Sequence, residues 1–343
     1  MSEIKVIRER SILVLGLCAL FIIITVALIG YNLTNQQYLP VDPEDKTFKL
    51  VTIPENSTAP KVAEILKSHD LVHSESAFLN YCRKHGLDSK LQAGNYNLSR
   101  SQSVKEISDI ISKGKVVTVT FTIPEGYTVQ QIGKLLVDSG MYEKDDWNKA
   151  LEAEYNYSFL PNCANINTKL EGFLFPDTYV ISESTSSEQT LNLMLSTFKQ
   201  IWDEEYTELA EKKGLSVKEA ITIASLIEKE ATVDNERAKI AGVIYNRLEK
   251  GMLLQIDAAV LYALGEHKNQ VLYEHLEVDS LYNTYKYTGL PPGPIASPGK
   301  ASIEAALNPE DHSYLYYVHK GDGTHHFSKT HTEHINARIK YGV

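Results

Sequence analysis

Residues 51–72 read VTIPENSTAPKVAEILKSHDLV, and residues 121–142 return to the same pattern with FTIPEGYTVQQIGKLLVDSGMY. Six of the 22 aligned positions are identical, and four of these form the Thr-Ile-Pro-Glu run that starts at Thr52 and at Thr122. Each copy begins with a short β-rich run, turns at Pro-Glu and continues with apolar residues at helical spacing. We therefore predict that a strand, a turn and an amphipathic helix occur twice, by duplication, because a solenoid generally needs three or more repeats.

The sequence between the two copies completes a small α+β unit. Residues 92–97 contain a glycine turn followed by a short strand, and residues 104–111 have helical spacing. Residues 116–123 alternate β-branched side chains, as a paired strand does. The fold class predicted from these elements is α+β. The residues leave two functions open for this unit: a spacer, or a module that binds carbohydrate.

Composition excludes several classes of protein. The chain has 343 residues, of which 43% are hydrophobic, and 44 acidic side chains outnumber 34 basic ones to give a net charge of -10. An acidic chain lacks the basic field that binds phosphates, so we expect no nucleic-acid partner. The apolar content is that of a globular protein, the length allows two or three domains, and three cysteines are too few for a disulfide framework.

An uncharged run near the N-terminus predicts a membrane anchor. Residues 12–31, ILVLGLCALFIIITVALIGY, would span as a helix the roughly 30 Å of a bilayer's hydrocarbon core. We predict a retained transmembrane helix over residues 12–33. A cleaved signal peptide is the alternative, but no small-x-small cleavage site follows the run.

The charges that flank this run predict its orientation. Three basic residues precede it, and none follows before Lys46. The positive-inside rule therefore places residues 1–11 in the cytoplasm and the remainder of the chain outside. Residues 34–47 are polar, contain two prolines and have no periodicity, so we interpret them as a linker.

A helix predicted over residues 217–231 carries the strongest candidate for chemistry. It starts with a capping box at Ser216, and its apolar stripe runs through Leu226. Glu230 falls in that stripe, so burial is expected to raise its pKa toward neutrality, as a general acid requires. The alternative is that Glu230 is a helix-end carboxylate that faces solvent or pairs with Arg237.

The following blocks combine turns with aromatic side chains. A short strand is predicted over residues 253–256, with Asp257 as the N-cap of the next helix. Residues 289–298 contain four prolines and two glycines, so they form neither a helix nor a central strand. Tyrosines and amides at residues 282–288 precede this loop. The segment suits stacking and hydrogen bonding to sugars, and it equally suits a rigid brace for a core.

Other chemistries are disfavoured by motif spacing. His325, His326, His331 and His334 cluster near the C-terminus, but their spacing matches no standard zinc site and favours a His-rich surface or a local hydrogen-bond role. The Ser-x-x-Lys pattern at Ser297 lacks the companion motifs of penicillin-binding enzymes, and the sequence has no phosphate-binding glycine loop. We therefore predict no metal and no cofactor.

Six sequence blocks, in order, resemble a known family. They are EGFLFPDTY (171–179), IASLIEKE (223–230), NRL (246–248), LQID (254–257), YNTY (282–285) and GLPPG (289–293). Over about residues 48–340 the chain resembles the endolytic murein transglycosylases, the YceG-like family. The resemblance implies a bacterial cell-membrane protein in which a single N-terminal transmembrane helix precedes a LysM-like α+β unit, residues 48–120, and a mixed α+β catalytic domain, residues 121–343.

The resemblance also implies an activity. Members cleave the MurNAc-β-1,4-GlcNAc bond inside nascent peptidoglycan strands and leave 1,6-anhydroMurNAc ends. Glu230 matches the family's catalytic glutamate, although Ala231 and then Thr232 stand where the family usually shows Thr directly after it. The implied partners are glycan strands, the inner membrane and peptidoglycan synthases. The residues that we assign to positioning sugars are Gln255, Tyr282, Asn283 and Tyr285, and those assigned to shaping the site are Glu171 and Asp177.

Two other functions remain open from the sequence. One is a non-catalytic, membrane-anchored scaffold that binds peptidoglycan. The other is a hydrolytic muramidase, which would need a second carboxylate about 5–9.5 Å from Glu230. Glu228 should point away along the helix. The remaining candidates for that second carboxylate are Asp177, Asp257 and Glu171.

Overall fold

The computed structural model describes residue 25 and residues 35–160, 169–265 and 272–342. The predicted transmembrane helix lies outside the described residues apart from Thr25, as does the predicted cytoplasmic segment before it. Across the described ranges, no helix is both long and apolar enough to cross a membrane. The described chain mixes helices with short strands, which confirms the α+β prediction.

The chain divides into two compact units. The first comprises Met1–Val119 and Val180–Ser184, and the second comprises Thr120–Tyr179 and Thr185–Val343. In the first unit the elements are β1 (Phe48–Ile53), α1 (Ala59–Ser68), α2 (Glu75–His85), β2 (Gly94–Ser99) and α3 (Val104–Ser112). β1 and β2 run antiparallel with Val51 opposite Tyr96, and the buried core of this unit includes Tyr96, Phe78 and Leu66.

From β3 onward the chain is largely helical. The elements are β3 (Thr118–Thr122), α4 (Val129–Asp138), α5 (Lys144–Glu152), β4 (Thr178–Ser182), α6 (Ser187–Ile201), α7 (Thr207–Lys213), α8 (Val217–Glu230), α9 (Arg237–Glu249), α10 (Asp257–Leu264), α11 (Lys300–Leu307), β5 (Tyr316–His319), β6 (His325–Ser328) and α12 (His331–Tyr341). β3 pairs with β4, and β5 forms an antiparallel hairpin with β6.

The repeated sequence pattern folds as predicted in both copies. β1 leads into α1, and β3 leads into α4. The second copy has a capping box in which Thr128 accepts from the Gln131 N–H, whereas the equivalent Thr58 makes no side-chain cap. The strand predicted over residues 116–123 is present as the shorter β3.

Helix α8 lies within the core of the second unit. The predicted capping box is present, because Ser216 accepts from the Glu219 N–H and the Glu219 side chain accepts from the Ser216 N–H. Residues 220–227 are all buried, and α9, α10 and α11 pack against the helix. A helix enclosed in this way is held rigidly, so the position of its last residue, Glu230, is fixed by the core.

Residues 253–256 form no strand, and Asp257 is not an N-cap, so both predictions are wrong. Gln255 adopts a left-handed backbone with φ of 52°, which interrupts any extended run. Its N–H donates to the carbonyl of Thr284 over 3.0 Å. Helix α10 begins at Asp257 itself, and Ile256 holds the N-cap position.

The proline-rich residues 289–298 form a loop, as predicted, and most of the loop is buried. The Ile295 N–H donates to Oγ of Ser225 on α8 over 3.1 Å. The Ser297 N–H donates to the carbonyl of Tyr127 over 2.8 Å. Of the two functions that the sequence leaves open for this loop, these contacts favour the brace for the core.

Candidate active site

Glu230 ends α8 beside the C-terminal hairpin of β5 and β6. The Tyr317 hydroxyl, on β5, donates to Oε2 of Glu230 over 2.9 Å. On β6, the His325 ring meets the Tyr317 ring edge to face, with 5.4 Å between the ring centroids. The hairpin therefore forms one wall of the site, and Tyr317 fixes the orientation of the Glu230 carboxyl group.

The surroundings of Glu230 keep its proton bound near neutral pH. Burial is the largest influence and raises the pKa of Glu230 to about 7, and the negative charge of Asp257 acts in the same direction. The hydrogen bond from Tyr317 and the positive charge of Arg247 oppose this rise. A carboxyl group that exchanges its proton near pH 7 can act first as an acid and then as a base.

Glu228 and Arg237 form a separate pair on another side of α8. The Arg237 guanidinium donates to Oε2 of Glu228 over 3.3 Å and to Asp234 over 3.1 Å. The Gly299 N–H donates to the same oxygen of Glu228 over 3.1 Å. Glu228 therefore points away from Glu230, as predicted. The alternative that pairs Glu230 with Arg237 is wrong.

Arg247 ties together the backbone around the site. It is buried, and its guanidinium donates to the carbonyls of Leu315 (2.6 Å), Leu254 (2.8 Å) and Leu253 (3.2 Å). It also donates to Oε1 of Gln255 over 3.4 Å. One side chain on α9 thus holds both the start of β5 and the turn before α10.

Gln255, Asp257 and Tyr285 form a second wall. Gln255 and Asp257 are exposed, and the Tyr285 hydroxyl donates to Oδ1 of Asp257. Burial raises the pKa of Tyr285 above its ordinary value, with further contributions from Asp257 and Glu230. A left-handed backbone is uncommon for a residue other than glycine and persists where the surrounding structure imposes it, often at functional sites. The strained Gln255 is therefore well placed for a functional role.

The other two residues assigned to the sugars differ in exposure. Asn283 is fully buried, and its amide donates to the carbonyls of Leu276 (2.8 Å) and Val278 (2.9 Å). Its Oδ1 accepts from the Tyr285 N–H over 3.0 Å. Asn283 therefore shapes the loop that presents Tyr285 and is not open to a ligand. Tyr282 is partly buried, with its ring 4.9 Å from the Tyr262 ring.

The carboxylates assigned to shaping the site have structural bonds. Glu171 is buried and accepts hydrogen bonds from the Val129 N–H (3.1 Å) and the Tyr262 hydroxyl (3.2 Å). Burial raises the pKa of Glu171 to about 8. Asp177 is exposed and accepts from the N–H of the next residue over 2.7 Å. Within the described ranges, neither carboxylate is hydrogen-bonded to Glu230.

Replacing Glu171 by glutamine should remove part of the pH dependence of stability. The ordinary pKa of this carboxyl is 4.5 in the unfolded chain, and it is about 8 in the folded protein. Between these values only the folded state holds the proton, so the free energy of unfolding falls as pH rises through this window. We expect the melting temperature of the wild-type chain to fall between about pH 5 and pH 8, and Glu171→Gln to melt with a shallower slope.

Glu211→Gln provides the matched control for this experiment, because Glu211 lies exposed on α7. The melting temperature of Glu211→Gln should change with pH at the same slope as that of the wild-type chain. A Glu171→Gln variant with an unchanged slope would mean that Glu171 is ionised inside the folded protein.

Sequence reasoning missed Tyr317 and Arg247. Arg247 stands in one of the six blocks but carries no recognisable motif, and Tyr317 reaches the site from a hairpin 87 residues beyond Glu230.

The local hydrogen-bond role favoured for the histidines is confirmed for His325, whose Nδ1 lies 2.8 Å from Oε2 of Glu236. In the part of the chain that the structure describes, no cluster of His, Cys, Asp and Glu could hold a metal ion.

Comparison with known proteins gives consistent matches. The model of the YceG-like family matches residues 51–340. An endolytic murein transglycosylase from Bacillus subtilis (strain 168) is 41% identical over 315 residues, which cover 88% of this chain and 87% of the relative. One from Streptococcus pneumoniae (strain D39) is 33% identical over 346 residues, covering 90% of this chain and 62% of the relative.

A solved structure agrees with these relatives. The crystal structure of a yceG-like protein from Listeria monocytogenes matches with a TM-score of 0.58 and 37% identity, and the match covers 84% of this chain and 98% of that one. The family model and the relative from Bacillus subtilis both extend over more than four fifths of this chain. On these matches, the chain belongs to the YceG-like family.

Proposed function

We propose that this chain is an endolytic murein transglycosylase. It cleaves the MurNAc-β-1,4-GlcNAc bond within nascent glycan strands and leaves a 1,6-anhydroMurNAc end, which releases or terminates strands during elongation. One observation carries the proposal: Glu230 is a partly buried acid whose pKa is raised to about 7, and Tyr317 holds it in a defined orientation. The names of the relatives from Bacillus and Streptococcus support the same activity.

A single carboxyl group is sufficient for both proton transfers in this reaction. Glu230 donates its proton to the glycosidic oxygen, so that the bond to C1 of MurNAc breaks and the GlcNAc hydroxyl leaves. The C6 hydroxyl of the same MurNAc then attacks C1, and the Glu230 carboxylate accepts its proton. Because the nucleophile belongs to the substrate, the reaction consumes no water and gains the high effective molarity of an intramolecular attack.

The remaining site residues have different roles in the proposal. Gln255, Tyr282 and Tyr285 bind sugar rings and orient the strand, because their side chains reach the surface of the site wholly or in part. Asn283 acts indirectly, by shaping the loop of Tyr285. Glu171 supports the site from within the core, and Asp177 does so from the residue before β4.

The products distinguish this activity from its alternatives. The full chain, purified in detergent and incubated with uncross-linked glycan strands, should give new MurNAc ends lighter by one water than reducing ends, as measured by mass spectrometry. Reducing MurNAc ends would identify a hydrolytic muramidase instead. Strands that remain intact would identify a scaffold that binds peptidoglycan without cleaving it.

We further propose where the enzyme acts in the cell. Residues 12–33 anchor it in the bacterial cell membrane, with residues 1–11 in the cytoplasm. Residues 34–47 link the anchor to a LysM-like unit, residues 48–120, and to the catalytic domain, residues 121–343. The uncharged run and the basic residues before it support this topology. Glycan strands newly made by peptidoglycan synthases at the membrane surface are then within reach of Glu230.

A further inference from the structure

We propose that Asp257 is a second catalytic carboxylate, which stabilises the positive charge that develops on the MurNAc ring while the glycosidic bond breaks. The inference rests on the proposed function, because it concerns the same site and the same reaction. Asp257 forms no covalent bond with the sugar and activates no water. Its contribution is electrostatic, and it acts on the transition state.

Asp257 stands at the start of a helix. It is the first residue of α10, where the unpaired N–H groups and the dipole of the helix attract negative charge. It is also exposed, in contrast with the partly buried Glu230. The Tyr285 hydroxyl donates to Oδ1, and among the described residues Oδ2 accepts no hydrogen bond. The second oxygen is therefore open toward a ligand.

Glu230 and Asp257 form a pair of carboxyl groups in unequal environments. Burial raises the pKa of Glu230 to about 7, whereas Asp257 is exposed at the start of α10. Such a division is the pattern by which glycosidases assign one carboxyl group as acid and another as carboxylate. Asp257 is close enough for its charge to act on Glu230, which makes it the candidate partner among the three carboxylates considered from the sequence.

The backbone before Asp257 is held in a strained conformation. Gln255 stands in the left-handed region, and Arg247 holds both its side-chain oxygen and the carbonyl of Leu254. The Ile256 N–H donates to Oγ of Thr284 over 2.9 Å. These bonds fix the turn from which α10 starts, so Asp257 is presented by a rigid support, as electrostatic catalysis requires.

Three titratable groups among the described residues shift the pKa of Glu230. They are Tyr317 on β5, Asp257 on α10 and Arg247 on α9. The two neighbours of Glu230 in the chain that carry charge face elsewhere: Glu228 binds Arg237, and Lys229 donates to the carbonyl of Gly126. Loss of the Asp257 charge should therefore lower the pKa of Glu230, because a repulsive negative charge is removed.

The charges and protons balance without a further reactant. As the bond between C1 and the leaving oxygen lengthens, positive charge spreads over C1 and the ring oxygen, and the Glu230 proton moves to the leaving oxygen. Asp257 offsets the positive charge at this stage. When the C6 oxygen bonds to C1, its proton passes to Glu230, the ring charge disappears, and Asp257 is unchanged.

The test compares Asp257→Asn with wild-type full chain on uncross-linked glycan strands, with 1,6-anhydroMurNAc ends as the readout. We expect kcat to fall about a hundredfold or more, as when one preorganised electrostatic group is removed, with little change in KM. The alkaline limb of the pH profile, the range in which kcat falls as pH rises, should move to lower pH. Tyr285→Phe should lower kcat by a smaller factor of about ten, since the carboxylate stays but loses its orienting bond.

The chain offers a matched control in a second tyrosine–aspartate pair. The Tyr287 hydroxyl donates to Oδ1 of Asp279 over 2.9 Å, and both residues are exposed. Among the described residues, this pair has no hydrogen bond to Glu230 or to Asp257. Asp279→Asn and Tyr287→Phe should therefore keep the kcat and the pH profile of the wild-type chain.

Two results with the Asp257→Asn variant would overturn the inference. One is an Asp257→Asn variant with wild-type kcat. The other is a variant of lower kcat whose alkaline limb has not moved, which would give Asp257 a structural role. If Asp257→Asn does not fold, as judged by its melting curve, a Tyr285→Phe variant with wild-type kcat overturns the inference alone. A wild-type chain that yields no anhydro ends contradicts the proposed function instead, so the two failures are distinguishable.

Discussion

Glu230→Gln should abolish the release of anhydro-muropeptides from glycan strands. Glutamine keeps the size of the side chain and can still accept the hydrogen bond from Tyr317, but it has no acidic proton to donate and no carboxylate to receive one. We expect kcat to fall by about 10²–10⁴-fold, the usual contribution of a general acid–base group. The measurement is the rate at which anhydro ends appear, followed by mass spectrometry.

The same variant should be at least as stable as the wild-type chain. Because burial raises the pKa of Glu230 from 4.5 to about 7, the folded state holds a proton that the unfolded chain has lost between these values. Stability therefore falls as pH rises from 4.5 toward 7, and glutamine removes that loss. The melting temperature near neutral pH should equal or exceed that of the wild-type chain, as when a functional group is held at the expense of stability.

Two controls separate catalysis from folding. Glu249→Gln replaces an exposed glutamate at the end of α9 and should leave both activity and melting temperature unchanged. The wild-type chain should lose activity as pH rises through about 7, because only the protonated form of Glu230 can act as the acid. Undiminished release of anhydro ends by Glu230→Gln would contradict the assignment of the acid.

Local sequence signals predicted the elements that carry the acid. The capping box at Ser216 and the stripe through Leu226 predicted the start of α8 and the face on which Glu230 lies, because both depend on neighbours within four residues. The repeated Thr-Ile-Pro-Glu pattern likewise predicted β1 with α1 and β3 with α4. These features require no knowledge of tertiary packing.

Features that depend on distant packing could not be predicted from the sequence. Tyr317 meets Glu230 only because the β5–β6 hairpin packs beside α8, and no periodicity encodes that contact. Asn283 has a side chain that suits sugars, but backbone carbonyls occupy its amide in the core. At Gln255 the apolar neighbours indicate a strand, whereas the left-handed backbone is imposed by bonds to Arg247 and Thr284.

Arg247→Met should strongly destabilise the second unit. The guanidinium donates to three backbone carbonyls and to the Gln255 side chain, and a thioether can donate to none of them. Buried acceptors left without partners, together with the lost contact of the guanidinium over the Tyr316 ring at 5.1 Å, should cost about 3–5 kcal/mol. For a unit of this size that corresponds to a fall of about 10 °C in melting temperature.

Arg247→Lys should recover little of this stability. A single ammonium group cannot reach the carbonyls of Leu254 and Leu315 at once, as the planar guanidinium does. Lys250→Met is the control, because Lys250 is an exposed cation just beyond the end of the same helix. Its melting temperature, measured by differential scanning calorimetry, should lie close to that of the wild-type chain. If Arg247→Met has the same melting temperature as Lys250→Met, the guanidinium does not hold the turn.

The activity of the arginine variants tests whether the turn serves the site. With Arg247 replaced by methionine, the turn at Gln255 is released and the support of Asp257 is lost, so kcat should fall even below the melting temperature. The positive charge that lowers the pKa of Glu230 is also removed, so the alkaline limb should move to higher pH. Arg247→Lys keeps the charge and should keep the limb in place while kcat falls. The arginine would then act on the acid by its charge and on the second carboxylate by its hydrogen bonds, two effects that the pair of variants separates.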